Sequence, residues 1–270
     1  MKKKVTVHSL RKMKQQGEKI TMLTAYDYPT AKLLDEAGVD CILVGDSLGM
    51  VVLGYENTTR VTTADILHHT KAVTRGVERA FVVADMPYLS YHISKEEAVR
   101  NAGILIQEGL ADAVKMEGGS VMFETIQHVI DANIPVVGHL GLLPQSVLRE
   151  GGYFIKGKEE KEIEKLKNDA LKLQEMGVVA LTLESVIADV AKEITEALEI
   201  PVIGIGAGKD TDGQVLVFHD VVGLFHGYIP QFVKQYAQLK DITTKAIENY
   251  VSDVKSGIFP DKEHSFYQKK

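Results

Sequence analysis

The chain has 270 residues, of which 45% are hydrophobic, and a formal net charge of −6. That length suits one large α/β domain with a sizeable core, and the acidic balance argues against a nucleic-acid partner. The single cysteine, Cys41, excludes a disulfide scaffold and a thiolate metal cluster. No apolar run approaches the ~20 residues that span a bilayer, and no secretory h-region is visible, so a cytoplasmic protein with no membrane partner is expected.

Residues 5–16 read as an amphipathic helix, with Val7, Leu10 and Met13 on one side and Gly17 as its stop. The first strand covers 20–25 and ends in Tyr26-Asp27, and a helix with Pro29 in its first turn follows to Gly38. Cys41-Ile42-Leu43-Val44 is apolar without alternation, as in a strand buried on both faces, and it stops at Gly45 before Asp46-Ser47. Thr62 or Thr63 caps a helix to Gly76, and the strand 81–84 ends in Asp85. Ser94 with Glu97 makes a capping box for a helix to Gly109.

The strand 111–116 contains Lys115 and ends in Glu117-Gly118-Gly119, and the strand 135–138 ends in His139. A Gly-rich stretch over 141–158 is long for a connection and reads as a functional loop or lid. A charged helix over 159–176 precedes the strand 178–183, which ends in Glu184. The strand 201–205 leads into Gly206-Ala207-Gly208, the strand 215–218 into His219-Asp220, and a last helix covers about 231–254. Strand then helix, eight times, is the pattern of a (β/α)8 TIM barrel, here one domain over 1–270 with an N-terminal capping helix. A doubly wound sheet gives a similar rhythm, so the pattern alone leaves closure open.

In a closed barrel the strand ends converge on one rim. Taken singly, an Asp after a strand is most often a helix cap or turn former. Asp46, Asp85 and Glu117 on consecutive strand ends instead suggest hard oxygen donors for Mg²⁺, one of them acting through water. His68-His69 has no carboxylate at ligand spacing and reads as structural, and Gly204 to Gly208 lacks a dinucleotide spacing and reads as room for a ligand. A metal, a lysine and a separate glutamate point to enolate chemistry on a small oxoacid, with Lys115 for its carboxylate. The electrophile stays open.

The segments TAYDY (24–28), LVGDSLGM (43–50), VKMEGG (114–119), GHLGLLPQS (138–146), GGY (151–153), IPVIGIGAG (200–208), TDGQVLV (211–217) and EHSF (263–266) together resemble the ketopantoate hydroxymethyltransferase family. The resemblance runs in order over nearly the whole chain. It implies a (β/α)8 barrel in a homo-oligomer, commonly a decamer. It also implies one-carbon transfer from 5,10-methylenetetrahydrofolate to 3-methyl-2-oxobutanoate, giving 2-dehydropantoate and tetrahydrofolate in pantothenate biosynthesis. By the same resemblance Asp46, Asp85 and Glu117 hold Mg²⁺. Asp46, Ser47, Asp85 and Lys115 bind the oxoacid, Glu184 is the general base, and His139 stands beside the substrate. Ser185 replaces a cysteine found in some relatives, and His226-Gly227-Tyr228 varies a Gly-Gly-His stretch. The competing readings are a Mg²⁺-dependent C–C lyase or phosphoenolpyruvate-mutase-like barrel, and a non-catalytic oxoacid-binding barrel.

Overall fold

Strands without polar alternation must be covered on both faces. In the computed structural model, which describes residues 3–224 and 227–268, a closed barrel supplies both covers. Its strands are β1 (Ile20–Thr24), β2 (Cys41–Val44), β3 (Phe81–Asp85), β4 (Ala113–Glu117), β5 (Val136–Gly141), β6 (Ala180–Glu184), β7 (Val202–Ile205) and β8 (Gly213–Leu216). All neighbours are parallel, and β8 closes on β1.

Helices α1 (Val7–Gln15), α2 (Tyr28–Ala37), α3 (Leu48–Val51), α4 (Thr63–Gly76), α5 (Lys95–Gln107), α6 (Phe123–Asp131), α7 (Val147–Glu150), α8 (Glu160–Met176) and α9 (Ala188–Ala197) follow in chain order, and α10 (Phe218–Val221) and α11 (Leu239–Ser256) lie beyond β8. The chain divides into two compact units, Met1–Phe218 and His219–Lys270. In the second, α11 begins at Leu239, well after the expected 231, and the backbone N–H of Leu239 donates to Val222 O. His226 lies outside the described residues.

Alternate strand residues point in and out. The outward set, Ile42, Val44, Val82, Ala84, Val114, Met116, Leu181 and Val202 among them, packs under the helices in one core cluster. The inward set at the N-terminal end, Ile20, Met22, Cys41, Leu43, Phe81, Val83, Val137, Ala180, Ile203 and Val215, forms a second cluster that Val5 and Leu10 join. The N-terminal helix therefore closes that end, as expected. Lys14 on α1 pairs with Asp212 at 2.7 Å.

Local signals explain most boundaries. Thr62 and Asp65 form a reciprocal capping box on α4. Asp27 caps α2 by accepting from the Thr30 N–H at 2.8 Å, so among the strand-end carboxylates this one is a cap. Two strands differ from expectation. β5 runs on to Gly141, so His139 lies inside a strand and not at its end. β8 covers Gly213–Leu216, and His219-Asp220 falls in the short helix α10. Glycines in and just after β7 serve packing: a Cβ on Gly204, within the strand, would stand 2.7 Å from Thr211 Oγ1, and one on Gly208 2.6 Å from Ala188 Cβ.

Candidate functional site

Register brings the expected side chains together. Asp85 on β3 is paired with Lys115 on β4, and Glu117 with His139 on β5. Glu184 ends β6 opposite Gly141. All these side chains alternate with the inward apolar set, so they form the C-terminal wall of the barrel interior. Asp46, Asp85, Lys115, Glu117 and His139 are buried, and Glu184 is partly exposed.

The contacts form one connected chain. Lys115 Nζ is 3.0 Å from Asp85 Oδ1, 4.0 Å from Glu117 Oε1 and 3.3 Å from His139 Nδ1. His139 bridges two carboxylates, with Nδ1 3.3 Å from Glu117 Oε1 and Nε2 3.3 Å from Glu184 Oε2. The Asp46 N–H donates to Asp85 Oδ2 at 2.9 Å. Ser47 does not cap α3 with its side chain; its Oγ shares a 2.8 Å hydrogen bond with Tyr26 OH. His69 Nδ1 meets Tyr26 O at 2.6 Å, the structural role expected of that histidine.

The charges compete in a dry setting. Burial pushes the Asp46 carboxyl well up, and the charges of Asp85 and Glu117 push it further. Burial also raises Asp85, against the pull of Lys115. For Glu117 burial acts upward, but His139, Lys115 and the Gln145 N–H outweigh it and hold its carboxyl low. Burial pulls Lys115 down, and Asp85, Glu117 and Asp46 more than reverse it. Burial and Lys115 lower His139, yet the hydrogen bond and charge of Glu117 and the contact with Glu184 push it up to about 9. A charged imidazole carries a proton on each nitrogen, and the two nitrogens lie 3.3 Å from the Glu117 and Glu184 carboxylates, close ion-pair contacts that fall short of well-formed hydrogen bonds.

A sequence model of the ketopantoate hydroxymethyltransferase family matches residues 4–262. The chain belongs to that family. It is 57% identical over 266 residues to a 3-methyl-2-oxobutanoate hydroxymethyltransferase of Thermoanaerobacter sp. (strain X514), covering 98% of this chain and 97% of the relative. With the enzyme of that name from Bacillus licheniformis it shares 58% over 255 residues, 94% of this chain and 92% of the relative. Solved structures share the fold at low identity. A phosphonopyruvate hydrolase aligns with a TM-score of 0.63 at 12% identity, covering 98% of this chain and 92% of its own. A 2,3-dimethylmalate lyase of the PEP mutase/isocitrate lyase superfamily aligns with 0.60 at 16%, covering 97% and 92%.

This ketopantoate hydroxymethyltransferase family member is therefore a transferase, and its wall suits a divalent cation. Asp85 and Glu117 push the already buried Asp46 carboxyl further up, a repulsion that a cation would relieve. Asp85 Oδ1 and Glu117 Oε1 are buried without a well-formed hydrogen bond. Among the described residues no three His, Cys, Asp or Glu side chains already converge as a metal cage. The fit is thus to an ion held by one or two carboxylates and completed by water and substrate oxygens, the habit of Mg²⁺.

Sequence reasoning missed three residues that build this wall. Gln145 comes from the 141–158 stretch, which contains the 3₁₀ turn Pro144–Ser146, α7 and a bridge from Lys156 to Val186. Tyr91 donates to Gln145 Oε1 at 2.8 Å and accepts from the Glu117 N–H at 3.2 Å. Tyr26 supports Ser47. Only Pro144-Gln145 inside a segment shared with the family hinted at the first.

Proposed function

We propose that this transferase moves the one-carbon unit of 5,10-methylenetetrahydrofolate to 3-methyl-2-oxobutanoate, giving 2-dehydropantoate and tetrahydrofolate in pantothenate biosynthesis. The observation that carries the reading is the continuous wall Asp46, Asp85, Lys115, Glu117, His139 and Glu184, with the Asp46 and Asp85 carboxylates at one end and Glu184 at the other. Asp46, Asp85 and Glu117 would hold Mg²⁺, which would supply Lewis-acid polarisation of the oxoacid carbonyl. Lys115, kept charged by three carboxylates, attracts the substrate carboxylate as a point charge. Ser47 adds a hydroxyl beside Asp46, its Oγ held by Tyr26.

Glu184 is the base. Its Oε2 lies 3.3 Å from His139 Nε2, and it alone among the wall carboxylates reaches toward solvent. It takes the proton from C3, and the electron pair left on C3 attacks the methylene carbon of the opened folate iminium. A C–C bond forms; the C–N bond to folate then breaks with its electron pair kept by the folate nitrogen, as water gives its oxygen and one hydrogen to the methylene carbon and its other proton to that nitrogen, while the proton taken by Glu184 replaces the one consumed in opening the folate ring. His139, fixed between Glu117 and Glu184, stands beside the substrate and holds the base in line. The homo-oligomer, a decamer, and the cytoplasmic setting belong to the same proposal; no helix among the described residues is long and apolar enough to cross a membrane.

The test is proton NMR of 3-methyl-2-oxobutanoate in D₂O with the protein and Mg²⁺, with and without tetrahydrofolate. Loss of the C3 proton signal is expected, suppressed by chelator and by Glu184→Gln, while that variant still binds oxoacid and metal. Exchange at the wild-type rate in Glu184→Gln would reassign the base. No exchange in the wild type with metal and oxoacid bound would reassign the substrate.

A further inference from the structure

Gln145 is buried on the 3₁₀ turn Pro144–Ser146 and spends every hydrogen-bonding group of its amide on the wall. Its Nε2 donates to Asp46 Oδ2 at 2.9 Å and to Met86 O at 3.0 Å. Its Oε1 accepts from Tyr91 OH at 2.8 Å. Its backbone N–H donates to Glu117 Oε2 at 3.1 Å. The amide cannot flip without turning its oxygen toward a carboxylate and a carbonyl, two acceptors. Tyr91 agrees with this sense: its hydroxyl accepts from the Glu117 N–H and donates to Gln145 Oε1 at 2.8 Å, with Glu117 O a more distant acceptor at 3.5 Å.

A pattern follows across the three carboxylates. Asp46 Oδ2 is held by the Gln145 amide, Asp85 Oδ2 by the Asp46 N–H, and Glu117 Oε2 by the Gln145 N–H. One oxygen of each is tied to a fixed donor; Asp85 Oδ1 then lies 3.0 Å from Lys115 Nζ and Glu117 Oε1 3.3 Å from His139 Nδ1, while for Asp46 the tie leaves Oδ1 to face a ligand. Two of the three ties come from one residue. With both amide hydrogens committed, Gln145 has none to offer a substrate, so it acts through the carboxylates.

We propose that Gln145 is a positioning residue that makes Asp46 present a single oxygen to the divalent cation and thereby favours a small octahedral ion over Ca²⁺. The proposal rests on the reading that Asp46 and Asp85 take the cation. Mg²⁺ and Mn²⁺ accept single carboxylate oxygens in octahedral order, whereas Ca²⁺ readily takes both oxygens of a carboxylate and a larger, looser shell. Removing the amide frees Asp46 Oδ2 to swing in as a second donor. Partners that orient a metal-bound group commonly change affinity by about ten- to a hundredfold when lost.

The experiment titrates the full chain with Mn²⁺, read by electron paramagnetic resonance, then displaces Mn²⁺ with Mg²⁺ and with Ca²⁺. Gln145→Met keeps the side-chain length and the backbone N–H but loses the amide; Tyr91→Phe keeps the amide and loses its orienting hydroxyl. Gln145→Met is expected to weaken Mn²⁺ and Mg²⁺ about ten- to a hundredfold while Ca²⁺ weakens far less, so the preference narrows. Tyr91→Phe shifts the ratio in the same direction by less. A wild-type Mn²⁺-to-Ca²⁺ ratio in Gln145→Met overturns the proposal, whether affinities are unchanged or all fall equally, since equal loss is general loosening. Should Gln145→Met fail to fold by circular dichroism, Tyr91→Phe decides by the same ratio. Absence of Mn²⁺ binding in the wild type would instead overturn the cation reading beneath it.

Discussion

His139 is the residue on which the two halves of the wall meet. Its nitrogens face Glu117 and Glu184 at 3.3 Å each, and the neighbouring carboxylates push it up to about 9. In the unfolded chain an ordinary histidine titrates near ~6.5, so the folded chain binds this proton more tightly. The stability that the proton contributes is therefore complete below about 6.5 and is lost as pH rises toward about 9. Chelator-treated wild type should show a Tm that falls over that window, and His139→Gln should lose that part of the fall. Parallel Tm profiles for the two proteins would mean that His139 is neutral in the fold. Much of this residue-level wall was legible beforehand, because Asp46 and Asp85 follow unbroken apolar runs that announce buried strands, and Glu117 and Glu184 follow apolar runs broken only by Lys115 and Thr182. Gln145, Tyr91 and Tyr26 were not. Each is an ordinary polar residue whose burial depends on which loops fold over the rim, and no local periodicity records that.

Among the elements, β6 carries Glu184, the proposed base, and β5 lies beside it. Gly141 ends β5 with φ 97°, and a Cβ there would stand 2.2 Å from Glu184 O. Such an approach allows no side chain, which is why the strand can run past His139 to a glycine. Just beyond, the Leu142 N–H donates to Glu184 O at 2.8 Å, and the Ser185 N–H donates to Ile205 O at 2.8 Å. Ser185 holds φ 49°, a strained value for a residue with a side chain. Glu184, the proposed base, thus sits on backbone tied to both neighbouring strands. Gly141→Ala should push the Glu184 carbonyl aside and break the bond from Leu142. Strain at positive φ and the displaced backbone together should cost about 2 kcal/mol or more. Urea unfolding would read that loss, and the D₂O exchange rate per folded molecule should fall while oxoacid affinity changes little. Wild-type stability and exchange in Gly141→Ala would show that the loop yields freely and that the base needs no such tie. Element boundaries were legible where caps and glycines marked them, as at Thr62, Gly38 and Gly177. They were misplaced at β5, β8 and α11, where apolar and polar residues continue across the boundary and only strand pairing or packing decides.

Across the barrel as a whole, the interior column changes character from one end to the other. At the N-terminal end it is apolar, from Leu10 and Ile20 through Phe81 and Val83. At the C-terminal end it is ionic, from Asp85 and Lys115 to His139 and Glu184. The repeating strand-helix order already pointed to this architecture; the closing pair β8 on β1 is a long-range fact that no window of sequence contains. The division has a consequence for mutation. Leu10 on α1 packs into the apolar end with Met22, Cys41 and Phe81, and it touches none of the ionic wall. Leu10→Ala removes buried methyl groups and leaves a cavity, which should cost about 2–5 kcal/mol. Chemical denaturation should read that loss at a temperature where the variant is still folded. In the same samples Mn²⁺ affinity and D₂O exchange per folded molecule should stay near wild type, because rigid β-strands separate the two ends and each strand's far side chains keep their register. If metal affinity or exchange fell in proportion to stability while the protein remained folded, the two ends would be energetically one body, and the capping helix would have to be counted with the site.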